Sequence, residues 1–572
     1  MLKTIVSLFS IRRGLWLATV VILTLFVTRV YLHQGLPYTH DGDNHVARFA
    51  NYMMAVREGQ LPPRFAPNLV NRYGYPVFNY NYPLANIMSV PFSIVDVPYT
   101  ITFKWLMMFF VAVGVTGMGV WLARLNFTFS SQLQGMALFA LSPYLFNTIL
   151  YRGNIGEVMA MAILPWVFVA IELLRSTKTP LSGGRLLLWL ALVLLFLAHN
   201  VTVIFAVPLL ITYAGVRFNG SLRLWLELGL GLVVSTLLTL WFWLPAIAEK
   251  SAVILDKTPL STEFVLHFPT WHQLLFSPSA FGFSYPGTLD SLSFSLGLVQ
   301  WLGLVLTLLL LLKYRQRTPT LWWLVIISTG LILIQSKQLL PVWEMMPIVR
   351  FIQFPWRLSL FLVLFLAVLG AWVFAHIKGF ARGLFITCLM LQALYFSRLE
   401  PVRYTYFLDR EYENFSESTT TLNENTPLAF KYLMIGDWQP TPTLAEGEGS
   451  IKVGYWFGSK RAYNLVLTQP SLVVEPTMLF AGWQTRITPR STGGNTYTAI
   501  YEDSEVIKGR LAYRLPAGEY AIDSHFTQQT TPRLIGNTVS MITAVLVTVY
   551  VGWLSLQWTR GFVQKKYGYE VP

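Results

Sequence analysis

Within seven residues, Thr39-His40-Asp41-Gly42-Asp43-Asn44-His45 gathers two carboxylates and two imidazoles, groups of the kind that take up and release protons. Arg48, Arg57, Glu58, Arg64 and Arg72 follow closely. Asp41 and His45 are four apart and share one face if a helix begins at Asp43, with Asp41 or Asp43 as its N-cap. A capped, solvated amphipathic helix has the same spacing, so both readings stay open at this point. A second polar cluster is Tyr151-Arg152-Gly153-Asn154-Ile155-Gly156-Glu157, in which Glu157 opens an apolar run and Arg152 suits an anion. A plain helix connection would look similar. The third, Pro347-Ile348-Val349-Arg350-Phe351-Ile352-Gln353-Phe354-Pro355-Trp356-Arg357, interleaves two arginines with Phe and Trp. Guanidinium pairs bidentately with phosphate oxygens, so this segment suits a lipid phosphate, although snorkelling arginines beside belt aromatics give the same pattern. His199, His267 and His272 fall near the same boundary and have the ordinary alternative of structural histidines.

The elements that must position these groups are membrane spans. The chain has 572 residues, 54% hydrophobic and only 12% charged, with a mean hydropathy of +0.50, which does not suit a soluble surface. Apolar runs of roughly the 20 residues a bilayer needs occur near 14–32, 101–123, 132–150, 157–174, 186–199, 201–216, 224–245, 295–312, 321–335, 356–376, 383–397 and 534–557. The fold class is therefore a polytopic α-helical membrane protein of about 12 transmembrane helices, with a β-rich domain before the last of them. Lys and Arg cluster on every second connection, from Lys3, Arg12 and Arg13 to Arg560, Lys565 and Lys566. By the positive-inside rule these connections and both termini are cytoplasmic. The formal charge of +14 is used in this way, so nucleic acid is not an expected partner. The single cysteine, Cys388, excludes an internal disulfide and a thiolate metal cluster. The first run lacks a small-residue cleavage site and reads as an anchor.

Three long segments lie on the opposite, extracytoplasmic side: 33–100, 246–294 and 398–533. The first holds an apolar stretch from Pro83 to Val95, too short for a span, which reads as a re-entrant or interfacial helix. It is preceded by Tyr73-Gly74-Tyr75-Pro76-Val77-Phe78-Asn79-Tyr80-Asn81-Tyr82-Pro83, an aromatic run typical of a membrane interface. Spans 186–199 and 201–216 form a tight pair with His199 and Asn200 at the turn. From about Glu400, short alternating segments such as Tyr463 to Thr468 and Thr496 to Ile500, broken by Gly, Pro and Asn, predict strands. The organisation is thus a multi-span domain over 1–397, a β-sandwich-like domain over 398–533, a final helix over 534–557 and a cytoplasmic tail over 558–572. No Walker A, His-Glu-x-x-His or Gly-x-Ser-x-Gly pattern is present, which leaves an ATPase, a zincin and a serine hydrolase without support.

The chain resembles the large GT-C type membrane glycosyltransferases, and among them the bacterial membrane proteins named for a 6-pyruvoyl-tetrahydropterin synthase-related domain. The resemblance is carried by His40-Asp41-Gly42-x-x-His45, Gly59-Gln60-Leu61-Pro62-Pro63-Arg64, Gly74-Tyr75-Pro76-Val77-Phe78, Arg152-Gly153-x-x-Gly156-Glu157, Gln353-Phe354-Pro355-Trp356-Arg357, Phe480-Ala481-Gly482-Trp483 and Thr531-Pro532-Arg533. It implies a GT-C-like fold in the bacterial cytoplasmic membrane. It also implies inverting transfer of a sugar from a polyprenyl-phosphate donor to an extracytoplasmic glycan, lipid or protein acceptor. Asp41 matches the first-loop acid and would be the general base, with Asp43 the alternative and His45 beside it. Glu157 matches the second-loop acid, which would share a divalent metal such as Mg or Mn with Asp41 or orient the acceptor. Arg152, Arg350 or Arg357 would neutralise the departing lipid phosphate, with Asn154, His199, Gln353 and Trp356 completing the binding surface. An Asp-Glu pair in the first loop and a Trp-Trp-Asp motif are both missing, so the substrates of the protein mannosyltransferase and oligosaccharyltransferase branches do not carry over. A transporter or flippase of lipid-linked glycans, or a non-catalytic envelope assembly protein, would use the same arginine and aromatic surface. A transporter would be expected to carry inverted repeats and polar residues at mid-membrane.

Overall fold

The computed structural model describes residues 2–176, 183–258, 263–286, 290–346, 352–431, 439–490 and 494–567. All twelve apolar runs fall on helix. Among the described residues, seven helices are long and apolar enough to cross a membrane: Tyr99–Arg124, Ile155–Ser176, Asn200–Arg217, Leu222–Ala248, Pro355–His376, Gly379–Ser397 and Thr531–Gln557. Two bent pairs raise the number to nine if each is one span: Phe129–Ala140 with Pro143–Arg152, bent by 43°, and Pro319–Ile334 with Lys337–Glu344, bent by 88°. Pro143 explains the first bend, because the residue before a proline is pushed out of helical geometry, and Ser142 sits at ψ 131°. The runs at 186–199 and 295–312 become the 16-residue helices Gly183–Ala198 and Leu298–Lys313, about 24 Å long at 1.5 Å per residue and short of a full hydrocarbon core. Pro83 to Val95 forms the 11-residue helix Leu84–Ile94.

Ile155–Ser176 and Pro355–His376 are buried almost throughout and form the centre of the bundle. Leu222–Ala248, Gly379–Ser397 and Thr531–Gln557 leave most of their residues outside the buried core, as peripheral spans must when their outer solvent is lipid. Two acidic residues of the apolar runs are neutralised by arginines. Glu172 accepts from Arg217 Nε, Arg175 Nη1 and Tyr213 OH, each at 2.7 Å, and Glu227 from Arg185 Nε at 2.7 Å.

Strand β1 (Leu36–Pro37), just after the first helix, pairs antiparallel with β2 (Tyr404–Thr405). Residues 398–430 carry otherwise only the short helix Asp409–Glu413. Eight strands follow: β3 (Thr443–Glu446), β4 (Gly449–Trp456), β5 (Lys460–Leu467), β6 (Ser471–Met478), β7 (Trp483–Pro489), β8 (Tyr497–Thr498), β9 (Arg510–Leu515) and β10 (Gly518–Phe526). They form an antiparallel five-stranded sheet, β4-β5-β10-β7-β8, and a three-stranded one, β3-β6-β9. Along β5 buried and partly exposed residues alternate, the mark of a strand with one face in a core. Tyr463, Leu465, Val473, Ile487, Tyr513 and Ile522 are buried together between them.

Glu249, at the end of Leu222–Ala248, ties this β-rich part to the bundle. It accepts from Arg533 Nη2 at 2.8 Å and Asn79 Nδ2 at 2.9 Å, and its backbone oxygen accepts from Tyr80 OH at 2.8 Å. The last helix, the first long loop and the end of Leu222–Ala248 thus meet at Glu249.

Candidate functional site

Five helix ends converge on one cavity of about 500 Å³. Gly42–Arg57 supplies Asp41, Asn44, His45 and Arg48, whose positions i, i+3, i+4 and i+7 form a single helix face. Tyr80, Asn81 and Tyr82 come from the following loop, Asn154 from the start of Ile155–Ser176, and His199 to Val201 and Ile204 from the start of Asn200–Arg217. Trp243, Ala246, Ile247 and Lys250 bring the end of Leu222–Ala248, Gln353 and Arg357 come from the start of Pro355–His376, and Thr419, Thr420, Thr421, Glu424 and Asn425 cover the cavity from the β-rich side.

The helix begins at Gly42 rather than Asp43. Its orphan Gly42 N–H is satisfied by Thr39 Oγ1 at 3.0 Å, and the Asp41 side chain, although it stands at the N-cap, makes no cap bond. Its Oδ2 instead accepts from Asn154 Nδ2 at 3.0 Å. The backbone repeats this pairing: His40 N–H donates to Tyr151 O at 3.1 Å and Asp41 N–H to Arg152 O at 2.9 Å. This close approach requires Gly153. It sits at φ +61°, and a Cβ there would lie 2.2 Å from Thr39 Oγ1.

Asp43 turns away from the cavity and accepts from Tyr412 OH at 2.7 Å and Thr405 Oγ1 at 3.2 Å. Burial pushes its carboxyl above the ordinary value, against the lowering effect of those two hydroxyls. Two residues apart on a helix point to different sides, so only one of these carboxylates can face the cavity.

Glu157 is fully buried behind the wall rather than facing the cavity. Its two oxygens take Arg152 Nη1 and Nη2 at 2.6 Å each, Tyr144 OH donates at 2.7 Å, and Arg357 Nε lies at 3.5 Å. Arg152, packed 4.8 Å above the Trp356 ring, is committed to this pair and does not line the cavity. Trp356 lies behind the wall as well and donates from Nε1 to Ser284 Oγ at 3.3 Å. Asn154 links the two carboxylates, since its Oδ1 accepts the Glu157 N–H at 2.9 Å while its Nδ2 holds Asp41.

Arg357 reaches the cavity and donates to Gln353 Oε1 at 2.9 Å, with Gln353 held at φ +65°. Arg350 lies outside the described residues. His45 and His199 are buried on either side of Tyr82, with His199 Nδ1 2.8 Å from Thr202 Oγ1. Burial holds His199 at about 3 and keeps His45 well below its ordinary value, where nearby Arg48 adds to the effect. Both imidazoles are therefore neutral near pH 7. His267 bonds Ser284 Oγ at 3.0 Å and His272 packs on Phe276, both away from the cavity.

A divalent ion shared by Asp41 and Glu157 does not fit this donor set, because Arg152 already occupies both Glu157 oxygens. Among the described residues no group of three or more His, Cys, Asp or Glu is placed to hold a metal ion.

The sequence reading left out Asn44, Lys250, Asn200 as a wall residue, and Thr419 to Asn425. Arg48 was visible in the first loop, and its spacing from Asp41 would have added it to the site. Asn44 was visible there for the same reason, whereas Asn200, Lys250 and the residues of 419–425 arrive from far along the chain and carry no local signal.

No known family's sequence profile matches the chain, and neither does any curated protein. Among solved structures, the chain is similar to the arabinofuranosyltransferase AftD from Mycobacteria at 14% identity and TM-score 0.44, covering 67% of this chain and 26% of that one. It is similar to the archaeal oligosaccharyltransferase AglB from Archaeoglobus fulgidus, in complex with an inhibitory peptide and a dolichol-phosphate, at 11% identity and TM-score 0.42, covering 71% and 56%. It is also similar to ArnT from Cupriavidus metallidurans in the apo state, at 14% identity and TM-score 0.39, covering 71% and 68%. The chain spans about a quarter of the AftD chain.

Proposed function

We propose that this chain is a GT-C type membrane glycosyltransferase that moves a sugar from a polyprenyl-phosphate donor to an acceptor outside the cytoplasm, with Asp41 as the general base. The observation that carries this reading is the Asp41 carboxylate, which makes no helix-cap bond, is fixed by Asn154 and is directed into a cavity that Arg357 also lines. The motifs around Asp41, Glu157 and Arg357 that resemble the family converge on that cavity and its wall.

In the proposed step an acceptor hydroxyl approaches the anomeric carbon of the donor. Its proton passes to Asp41 Oδ1 or Oδ2 as the new carbon–oxygen bond forms. The bond from the anomeric carbon to the phosphate oxygen breaks, and its electron pair leaves with the lipid phosphate. Attack opposite the leaving group inverts the configuration. Arg48, Lys250 and Arg357 line the cavity against two carboxylates, Asp41 and Glu424, so the surroundings suit an anionic leaving group. Arg152 and Glu157 act as positioning residues: they set the ends of the helices that carry Asn154 and Arg357. No step runs through a metal.

Replacing Asp41 by Asn tests the assignment. With the protein inserted normally, loss of an extracytoplasmic sugar modification supports it. Retained modification removes Asp41 as the base. Mass spectrometry of lipid bound to the purified protein tests the donor: a polyprenyl phosphate supports the reading, and its absence together with intact transfer from a soluble nucleotide sugar would overturn it.

A further inference from the structure

The cavity has two unlike sides. Part of its span side is apolar, with Val201, Ile204, Ala246 and Ile247 from two helices. Toward the β-rich part it is closed by residues 418–425, a strap from which Thr419, Thr420, Thr421, Glu424 and Asn425 present hydroxyls, an amide and one carboxylate. The strap is held from both flanks. Arg48 Nε donates to Thr419 Oγ1 at 3.0 Å and its Nη2 to Thr419 O. Tyr75 OH lies 2.9 Å from Thr420 Oγ1 and accepts the Asn425 N–H at 2.8 Å. Thr419 and Asn423 are held at φ +67° and +53°, conformations that non-glycine residues keep only where the surroundings enforce them. The wall is therefore preformed.

Opposite the strap, Asn200 donates from Nδ2 to Tyr80 O at 2.9 Å, while its buried Oδ1 has no partner within the protein. A buried carbonyl oxygen without a donor calls for one from outside. The cavity surface also includes Tyr80, Tyr82 and Trp243, whose ring faces offer contact to C–H groups. Hydroxyl and amide groups on one side, an unpaired acceptor on the other and aromatic rings between them match a ligand with many O–H donors on a rigid, partly apolar ring. An acyl chain would leave the strap unsatisfied, and a peptide would bring more N–H donors than one free acceptor can take.

We infer that the strap, with Asn200 opposite, is the acceptor subsite and that the acceptor is a carbohydrate. The inference rests on the proposed transferase reading and deepens it. It places a sugar hydroxyl between the strap and Asp41, with the donor lipid entering from the apolar side.

The probe is a panel of immobilised neutral hexose and N-acetylhexosamine oligosaccharides, presented to the full chain in lipid nanodiscs, with Ser- and Thr-containing peptides as the comparison. At least one oligosaccharide class binds, and no peptide does. Thr421→Val combined with Glu424→Ala weakens that binding about tenfold or more, since a site built to hydrogen-bond a hydroxyl loses it when its partner is removed. Both positions are at the outer rim, so the fold survives the change, as an unaltered melting temperature will show. Asn200→Ala weakens binding as well. Asp41→Asn keeps binding and loses transfer, which separates this inference from the base assignment. Peptide binding with no oligosaccharide binding overturns the carbohydrate inference while leaving the transferase reading standing. Oligosaccharide binding that the strap variant leaves unchanged overturns the placement of the subsite.

Discussion

Replacing Glu157 by Gln removes the carboxylate on which two guanidinium groups converge. Glu157 is 0% and Arg152 6% exposed at the side chain, and the pair is bidentate with both contacts at 2.6 Å. In the variant Arg152 keeps its place above Trp356 but becomes a buried cation without a counter-charge, with Arg357 close by. Breaking a buried pair from one side costs about 3–5 kcal/mol, well above the roughly 0–1 kcal/mol of an exposed pair. Thermal unfolding of the purified protein, followed by the fluorescence of its 20 tryptophans, reads this as a clear fall in melting temperature. Arg152→Met alone is similarly damaging because it strands Glu157. The double variant Arg152→Met with Glu157→Gln regains part of the loss, since no charge is left unpaired, and the cycle reports a coupling of about 1–3 kcal/mol. Glu505→Gln, which breaks the exposed Lys431–Glu505 pair, serves as the comparison and leaves the melting temperature unchanged. If Glu157→Gln melted with Glu505→Gln, the pair would not be the buried clamp that the geometry describes.

Gly153→Ala forces a side chain onto Thr39 in a left-handed conformation and lowers stability by about 1–3 kcal/mol, read by the same melting experiment. Asn154→Ala frees Asp41 and uncaps the Glu157 helix, so kcat for transfer falls about tenfold or more while the affinity for donor lipid changes little; equal losses in both would point to general misfolding. Stability falls on acidification: burial depresses His40 to about 4, below the roughly 6.5 of an unfolded imidazole. Between those values the unfolded chain takes up a proton that the folded one refuses. Melting temperatures measured from pH 7 to pH 4 show the decline; buried His45 and His199 act in the same direction, so His40→Gln lessens it without removing it.

Hydropathy made the helices legible, because a bilayer demands long apolar runs whatever their partners are. It could not distinguish a full crossing from the 16-residue Gly183–Ala198, nor foresee the 88° break after Ile334, which depends on how Lys337–Glu344 packs. The alternation in β5 was readable for the same reason as the spans: burial of one face imposes a period. Which of Asp41 and Asp43 faces the cavity was not readable from spacing, since it turns on Thr405 and Tyr412, brought from more than 360 residues away to hold Asp43. Glu157 read as a cavity acid and is instead a buried partner of Arg152, because charge neutralisation inside the bundle is a tertiary property. Thr419 to Asn425 were invisible, being brought to Arg48 across more than 370 residues of chain.

The most direct test compares Asp41→Asn with Asp43→Asn at equal membrane insertion, scoring sugar transfer from a polyprenyl-phosphate donor. Loss of general-base catalysis lowers the rate by about 10²–10⁴ in Asp41→Asn, while Asp43→Asn retains most of its transfer and melts at a lower temperature. Transfer that survives in Asp41→Asn and disappears in Asp43→Asn would contradict the account.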